Sequence, residues 1–259
     1  MTDDGAAAFG FDVADWPAVA TVPGLFVTSA GRGDGKTLVA GGVARHLRRA
    51  GRRVEVFLPV ATACRPGRGG LVSGAADFLA ACAESPHALS EIAPIRTALP
   101  TAPPGTPADR QAVLDAWEAL SQGCEAVVVE SAGGILGPIT DEFWSIHLAK
   151  LLALPVVLVV RPGAGAVEGA LLTIHAARSA GLAVAGAVVN RYRADTAAEE
   201  DVDACMQTQA DRIARLGRVK VLAVVPDDDA NDVASAALAD SARFALDQVP
   251  WERVISREL

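Results

Sequence analysis

Short, nearly all-apolar runs alternate along the chain with longer stretches in which apolar residues recur every three to four positions. The runs Leu25 to Ser29, Arg53 to Leu58, Ala126 to Glu130, Val156 to Val160, Val184 to Asn190 and Val221 to Val225 are rich in Val and predict strands covered on both faces. Helical spacing predicts helices over Lys36 to Ala50, Ala75 to Ala83, Pro107 to Gln122, Asp141 to Leu152, Val167 to Ala180, Ala197 to Leu216 and Ala230 to Ala245. Such alternation implies right-handed crossovers and an α/β fold, a mostly parallel central sheet with helices on both faces. Residues 1–20 lack this pattern and are expected to be a flexible leader, with residues 21–259 as a single domain. One segment breaks the rhythm. Ala93 to Pro107 carries five prolines, Pro103 and Pro104 among them, too many for a helix or a central strand, and predicts a long ordered loop. Loops of that length inside a compact domain are often functional.

Composition narrows the classes. The chain has 259 residues, 51% hydrophobic and 21% charged, which excludes a disordered or low-complexity protein. Its net charge of −8 gives no phosphate-seeking field, so neither nucleic acid nor an anionic membrane is an expected partner. Cys64, Cys82, Cys124 and Cys205 are scattered without metal-ligand spacing or a disulfide pattern, which fits a reducing cytoplasm. No basic, apolar leader marks a signal peptide. The longest apolar run, Leu151 to Val160, contains Pro155 and is far short of the roughly 20 residues that span a bilayer.

The strongest chemical signal follows the first strand. Ser29-Ala30-Gly31-Arg32-Gly33-Asp34-Gly35-Lys36-Thr37 leads into an apolar helix beginning at Leu38, so strand, glycine-rich turn, Gly-Lys-Thr and helix occur in the order of a phosphate-binding loop. Glycines let main-chain N–H groups turn inward around a phosphate, and the helix start adds unsatisfied donors and the positive end of its dipole. Lys36 is expected to neutralise the β and γ phosphates, and the Thr37 hydroxyl to ligate Mg²⁺. The standard spacing puts a glycine where this chain has Ala30, with Gly31 one place later.

Such a loop needs an acid to hold its metal. Glu130 ends the strand Ala126 to Val129 and precedes a tight loop, Ser131-Ala132-Gly133-Gly134, at the edge of the sheet where open α/β folds bind ligands. Asp77 lies on a predicted helix and reads equally as a metal ligand or as an exposed acid on an amphipathic face. The basic cluster Arg45, Arg48, Arg49, Arg52 and Arg53 reads as a solvated helix C-terminus favoured by the dipole.

Phe26-Val27-Thr28 before the loop, Pro59-Val60 after the second strand, Val129-Glu130-Ser131-Ala132-Gly133-Gly134 and Ala187-Val188-Val189-Asn190 together resemble the dethiobiotin synthases, a family of P-loop enzymes. The resemblance runs from about Leu25 to the C-terminal helix. It implies an ATP- and Mg²⁺-dependent ligase, usually a homodimer, acting on a diamino acid and CO₂. CO₂ adds to an amine of 7,8-diaminononanoate, ATP phosphorylates the carbamate, and the second amine displaces phosphate to close a cyclic urea. By position, Gly33, Asp34, Gly35, Lys36, Thr37 and Leu38 wrap the phosphates, and Thr37, Asp77 and Glu130 hold the metal. Ser131, Ala132 and Gly133 complete the nucleotide site. Asn190 and Arg191 read the adenine edge, Pro226, Asp227 and Asp228 close over the base, and Thr62 stands near the carbamate. The second substrate is expected between Leu58 to Ala63, Ser131 to Gly134 and the proline-rich loop.

The chain departs from the family where a Lys-Pro-Val lysine is usual. Here the sequence is Leu58-Pro59-Val60, and Arg32 is the cation placed to supply the missing charge as a catalytic group beside Lys36. Two readings follow: the ligase, or a relative that keeps nucleotide binding without ligase activity and acts as a regulatory or assembly ATPase. A partitioning-type ATPase calls for a lysine early in the loop, and none precedes Lys36.

Overall fold

The computed structural model describes residues 13, 16–101, 105, 107–193 and 200–256, the side chains of 107, 108 and 200–207 excepted. In chain order the elements are β1 (Gly24–Ser29), α1 (Lys36–Arg49), β2 (Val54–Phe57), β3 (Val60–Ala61), β4 (Arg65–Gly67), β5 (Gly70–Val72), α2 (Gly74–Ala83), α3 (Leu89–Ile92) and β6 (Ile95–Arg96). They continue as α4 (Pro107–Ser121), β7 (Ala126–Glu130), α5 (Ser145–Leu151), β8 (Val156–Val160), α6 (Ala166–Ser179), β9 (Val184–Tyr192), α7 (Glu200–Gly217), β10 (Val221–Pro226), α8 (Asp240–Asp247) and α9 (Trp251–Ile255).

Six strands form one sheet in the order β10-β9-β8-β1-β7-β2, and every neighbouring pair is parallel. Parallel strands need both faces covered, and the burial shows it. On β8, Val157 and Val159 belong to the main core with α1, α8 and α9, whereas Leu158 and Val160 belong to a second apolar cluster with Val167 and Ile174 of α6 and Ile213 of α7. Alternate side chains thus point to opposite faces, as the pleat requires. From β1 the chain crosses to β2 at one edge, returns to β7 between them, and only then builds β8, β9 and β10 on the other side. That reversal leaves a crevice at the C-terminal end of β1, where ligands bind in such sheets.

Two expected helices form only in part. The stretch 141–152 becomes a turn followed by the shorter α5, because Thr140 Oγ1 accepts N–H bonds from Glu142 and Phe143, and Pro138 bridges to Trp144. The stretch 230–245 is helical only from Asp240, since Asp228, Asp232 and Asn231 engage their side-chain oxygens with the N–H groups of Ala230, Ala234 and Ala239. Local side-chain bonds of this kind compete with a helix ladder. The proline-rich segment contributes β6, which pairs with β3 outside the central sheet, and Ala63 and Cys64 donate to Leu99 O and Thr97 O. Pro103 and Pro104 lie outside the described residues.

Of the expected leader, residues 1–12 and 14–15 lie outside the described residues. Residues 16–20 lie against the domain: Trp16 meets the Phe143 ring edge-on at 5.0 Å, and Trp117 Nε1 donates to Ala20 O at 2.9 Å. Among the described residues no helix is long and apolar enough to cross a membrane. The basic cluster at the end of α1 is a paired surface, with Arg48 on Glu84, Arg49 on Asp247 and Arg53 on Glu125.

Candidate active site

The loop from Ser29 to Thr37 is held from both ends by hydrogen bonds. Ser29 Oγ donates to Gly31 O at 2.6 Å, and the buried Lys36 ammonium donates back to Ser29 Oγ at 2.9 Å. Asp34 turns its carboxylate onto the Gly31 N–H at 2.8 Å instead of lining a cavity. Gly35 caps α1 in the left-handed region, φ 89°. A glycine is required there twice over, because a Cβ would also stand 2.0 Å from Asn190 Nδ2. Asn190, buried near the end of β9, donates that amide to Asp34 O at 2.7 Å. Its observed contact is therefore with the phosphate loop.

Glu130 ends β7 beside this loop. Thr37 Oγ1 donates to Glu130 Oε1 at 2.9 Å, while Glu130 Oε2 is buried with no hydrogen-bond partner. Burial raises the carboxyl above its ordinary value of 4.5, opposed by the Lys36 charge and the Thr37 bond. Behind it, Ser131 Oγ donates to Gly133 O at 2.6 Å and lies 3.0 Å from Thr28 Oγ1, which fixes the turn after β7.

Two cavities of about 500 Å³ each open on either side of this centre, and Gly33, Lys36, Thr37 and Glu130 line both. The first is polar. It takes in Gly35, Leu38, Asn190, Arg191, Asp227 and Asp228, and it adds Arg161 and Arg193, which sequence reasoning missed. Arg193 is fixed by Asp227 at 2.6 Å, and Asp228 accepts from Ser241 Oγ at 2.6 Å. Pro226 closes β10 without lining this cavity. The second takes in Arg32, Leu58, Thr62, Ser131, Ala132 and Gly133, with Thr101 from the proline-rich loop. Ser131, Ala132 and Gly133 therefore face the second cavity, across Glu130 from the first. Leu58 is only 4% exposed, and Arg32 and Lys36 are the cations among the lining residues.

Asp77 is not brought to Thr37 and Glu130. It stands exposed in the first turn of α2, between buried Ala76 and Phe78 on the helix's other side, and lines neither cavity. Among the described residues no three His, Cys, Asp or Glu side chains gather as a metal cluster. The orphaned Glu130 oxygen beside the Thr37 hydroxyl nevertheless fits Mg²⁺, a hard cation that usually takes one or two carboxylates and completes its shell with phosphate oxygens and water.

A parallel sheet reversing at a glycine-rich loop, with a lysine, a hydroxyl and a strand-end carboxylate at one point, defines the P-loop nucleotide-binding class. The family model described as an AAA domain matches residues 23–234. The ATP-dependent dethiobiotin synthetase BioD of Anaeromyxobacter dehalogenans (strain 2CP-1) is 37% identical over 209 residues, covering 78% of this chain and 89% of that one. The protein of the same name from Nitrosospira multiformis is 32% identical over 232 residues, covering 86% and 97%. Among solved structures, the MinD cell division protein of Aquifex aeolicus superposes with a TM-score of 0.57 at 15% identity, covering 92% of this chain and 96% of its own, a likeness of fold alone. The chain belongs to the ATP-dependent dethiobiotin synthetase family within these P-loop domains.

Proposed function

We propose that the chain is a dethiobiotin synthetase, an ATP- and Mg²⁺-dependent ligase that carboxylates a diamine and closes a cyclic urea. One observation carries the reading: two cavities share Gly33, Lys36, Thr37 and Glu130, so a nucleotide in the polar one directs its terminal phosphate toward whatever occupies the other.

In this reading the N–H groups around Gly33 to Thr37 and the Lys36 ammonium hold the phosphates, and Thr37 and Glu130 hold the metal, which neutralises charge on the transferring group. Asn190 keeps the loop in its binding shape through Asp34 O, and Arg161, Arg191 and Arg193 border the nucleotide. The diamine lies along Leu58 to Thr62 and Ser131 to Gly133, positioned for attack against the apolar wall of Leu58, Val60 and Ala61. The homodimer is part of the same reading, and sedimentation measures it. A cytoplasmic setting fits the free thiols, of which burial pushes Cys82 and Cys124 up to about 11.

Pure protein given Mg-ATP, bicarbonate and 7,8-diaminononanoate is expected to release ADP and dethiobiotin one for one. ADP released at the same rate without the diamine, or ATP bound with no product, contradicts the reading.

With Leu58 buried in the second cavity, Arg32 is the cation besides Lys36 that is placed to meet the charge developing on the carbamate and the phosphoryl group. Arg32→Ala is expected to lower turnover by on the order of 10²-fold while sparing nucleotide affinity. Adding Leu58→Lys to that variant is expected to recover part of the loss. Steady-state kinetics beside ATP-binding calorimetry check both, and unaltered turnover in Arg32→Ala removes Arg32 from the reaction.

A further inference from the structure

Ile213 of α7 is buried with Val167 and Ile174 of α6 in the second apolar cluster. One turn earlier on the same face of α7 stands an amide, Gln209, only 8% exposed. A buried amide weakens such an interface unless its donor and acceptor are both met. Here one residue meets both: Gln209 Oε1 accepts from the Gly163 N–H at 2.9 Å, and Gln209 Nε2 donates to Gly163 O at 3.0 Å. A leucine would serve the packing, so what the amide adds is a fixed place for Gly163.

Gly163 lies in the turn from β8 to α6, two residues after Arg161, an exposed side chain that lines the polar cavity. Buried Pro162 stands between them. A proline restricts its own φ and confines the residue before it to extended backbone, so holding Gly163 also sets the course of the chain back to Arg161. The sheet holds the other end. Val159 is the register partner of Ser29 and Val160 that of Val189, so Arg161 leaves the sheet between the residue that opens the phosphate loop and Asn190. A guanidinium pairs with phosphate oxygens through a planar fork, which rewards a backbone that does not move. Groups that bind in this way are held in place by hydrogen bonds one layer further out.

We propose that Gln209 is a positioning residue: by clamping Gly163 it holds Arg161 on the bound nucleotide. Gln209 itself lines neither cavity. The proposal rests on the reading that places the nucleotide in the polar cavity and goes beyond it, since it gives a role to a side chain on a helix outside the site.

Calorimetric titration of the full chain with Mg-ATP tests it as a double-mutant cycle. Arg161→Ala is expected to raise Kd by between about 10- and 100-fold, the range for a hydrogen bond to a charged group, and Gln209→Leu by about 10-fold. Because Gln209 acts through Arg161, adding Gln209→Leu to Arg161→Ala is expected to change Kd by less than about twofold. In turnover, Gln209→Leu is expected to raise KM for ATP by the same factor and to keep kcat at saturating ATP within about twofold of wild type. Gln209→Glu separates positioning from packing, since it keeps the shape of the side chain. Ionised, that carboxyl cannot donate to Gly163 O, and protonated it can. The ratio of its Kd to that of wild type is expected to rise with pH as the carboxyl ionises, and to stay level in the Arg161→Ala background. An unchanged Kd in Gln209→Leu, an equal loss with and without Arg161, or a pH-independent ratio for Gln209→Glu overturns the proposal while the nucleotide reading stands. Wild-type protein that binds no Mg-ATP overturns both.

Discussion

Glu130→Gln is expected to abolish metal-dependent turnover, with a loss on the order of 10²- to 10³-fold, while leaving the unliganded protein at least as stable at neutral pH. The two halves have one cause. A carboxylate buried with one oxygen unpartnered is costly unless a cation meets it, and its raised pKa expresses that cost. For an acid raised on folding, the stabilising contribution is complete below the ordinary value of 4.5 and is lost as pH climbs through the raised value. Wild type therefore carries a penalty near neutral pH and above that the neutral amide lacks, and the two melting temperatures are expected to converge as pH falls toward the ordinary carboxyl value. Adding Mg-ATP is expected to raise the wild-type melting temperature by more than that of Glu130→Gln, which keeps the phosphate loop and Lys36 but lacks the metal's carboxylate, because the shift grows with affinity for the folded state. Scanning calorimetry at neutral and at mildly acidic pH, with and without Mg-ATP, checks each part. A variant that melts well below wild type at neutral pH assigns Glu130 a structural role.

Gly35→Ala is the second large effect. The left-handed backbone costs a non-glycine residue about 1–2 kcal/mol, and the new methyl would occupy the place of Asn190 Nδ2, 2.0 Å away. Losing the Asn190 bond to Asp34 O adds about 1 kcal/mol and frees the loop from β9. Nucleotide affinity is expected to fall by about 100-fold or more, because the amides that cradle phosphate lose their shared orientation. Gly33→Ala separates the causes. Gly33 also has a positive φ, 78°, but a Cβ there meets nothing within 4 Å, so only backbone strain remains. Its affinity loss is expected to be markedly smaller. Equal losses in the two variants contradict the role given to Asn190.

Much of this architecture is legible in the pattern of apolar residues. The strands Ala126–Glu130 and Val156–Val160, buried on both faces, fall at their expected bounds because a Val-rich run of five residues flanked by glycine or proline suits a buried strand and is too short for a buried helix. The stretch beginning at Ala230 misleads, because its helical spacing is real but Asp228, Asn231 and Asp232 offer the main chain better local partners. The wall of the second cavity is less legible for another reason. The strands β3 and β6 are two residues each, too short for any period, and they meet only through long-range pairing.

The site divides in the same way. Gly-Lys-Thr after a strand and a carboxylate at a strand end are local signals, and the structure brings Lys36, Thr37 and Glu130 together. Arg161 and Arg193 carry no motif, and their only signal is position, just past β8 and β9 at the sheet edge where ligands bind. Asp77 shows the converse. Its type suits a metal site, but helical phase turns it to solvent, and phase is set by which neighbours, here Ala76 and Phe78, the core takes.

The central claim is that one cluster of loop amides, lysine and strand-end acid serves two cavities at once. A crystal structure with a non-hydrolysable ATP analogue, Mg²⁺ and the diamine measures it directly. The account predicts the terminal phosphate among Gly33, Lys36 and Thr37, the metal on Thr37 and Glu130, and the diamine on the Leu58 side of that phosphate. A nucleotide bound elsewhere, or Glu130 turned away from the metal, contradicts it.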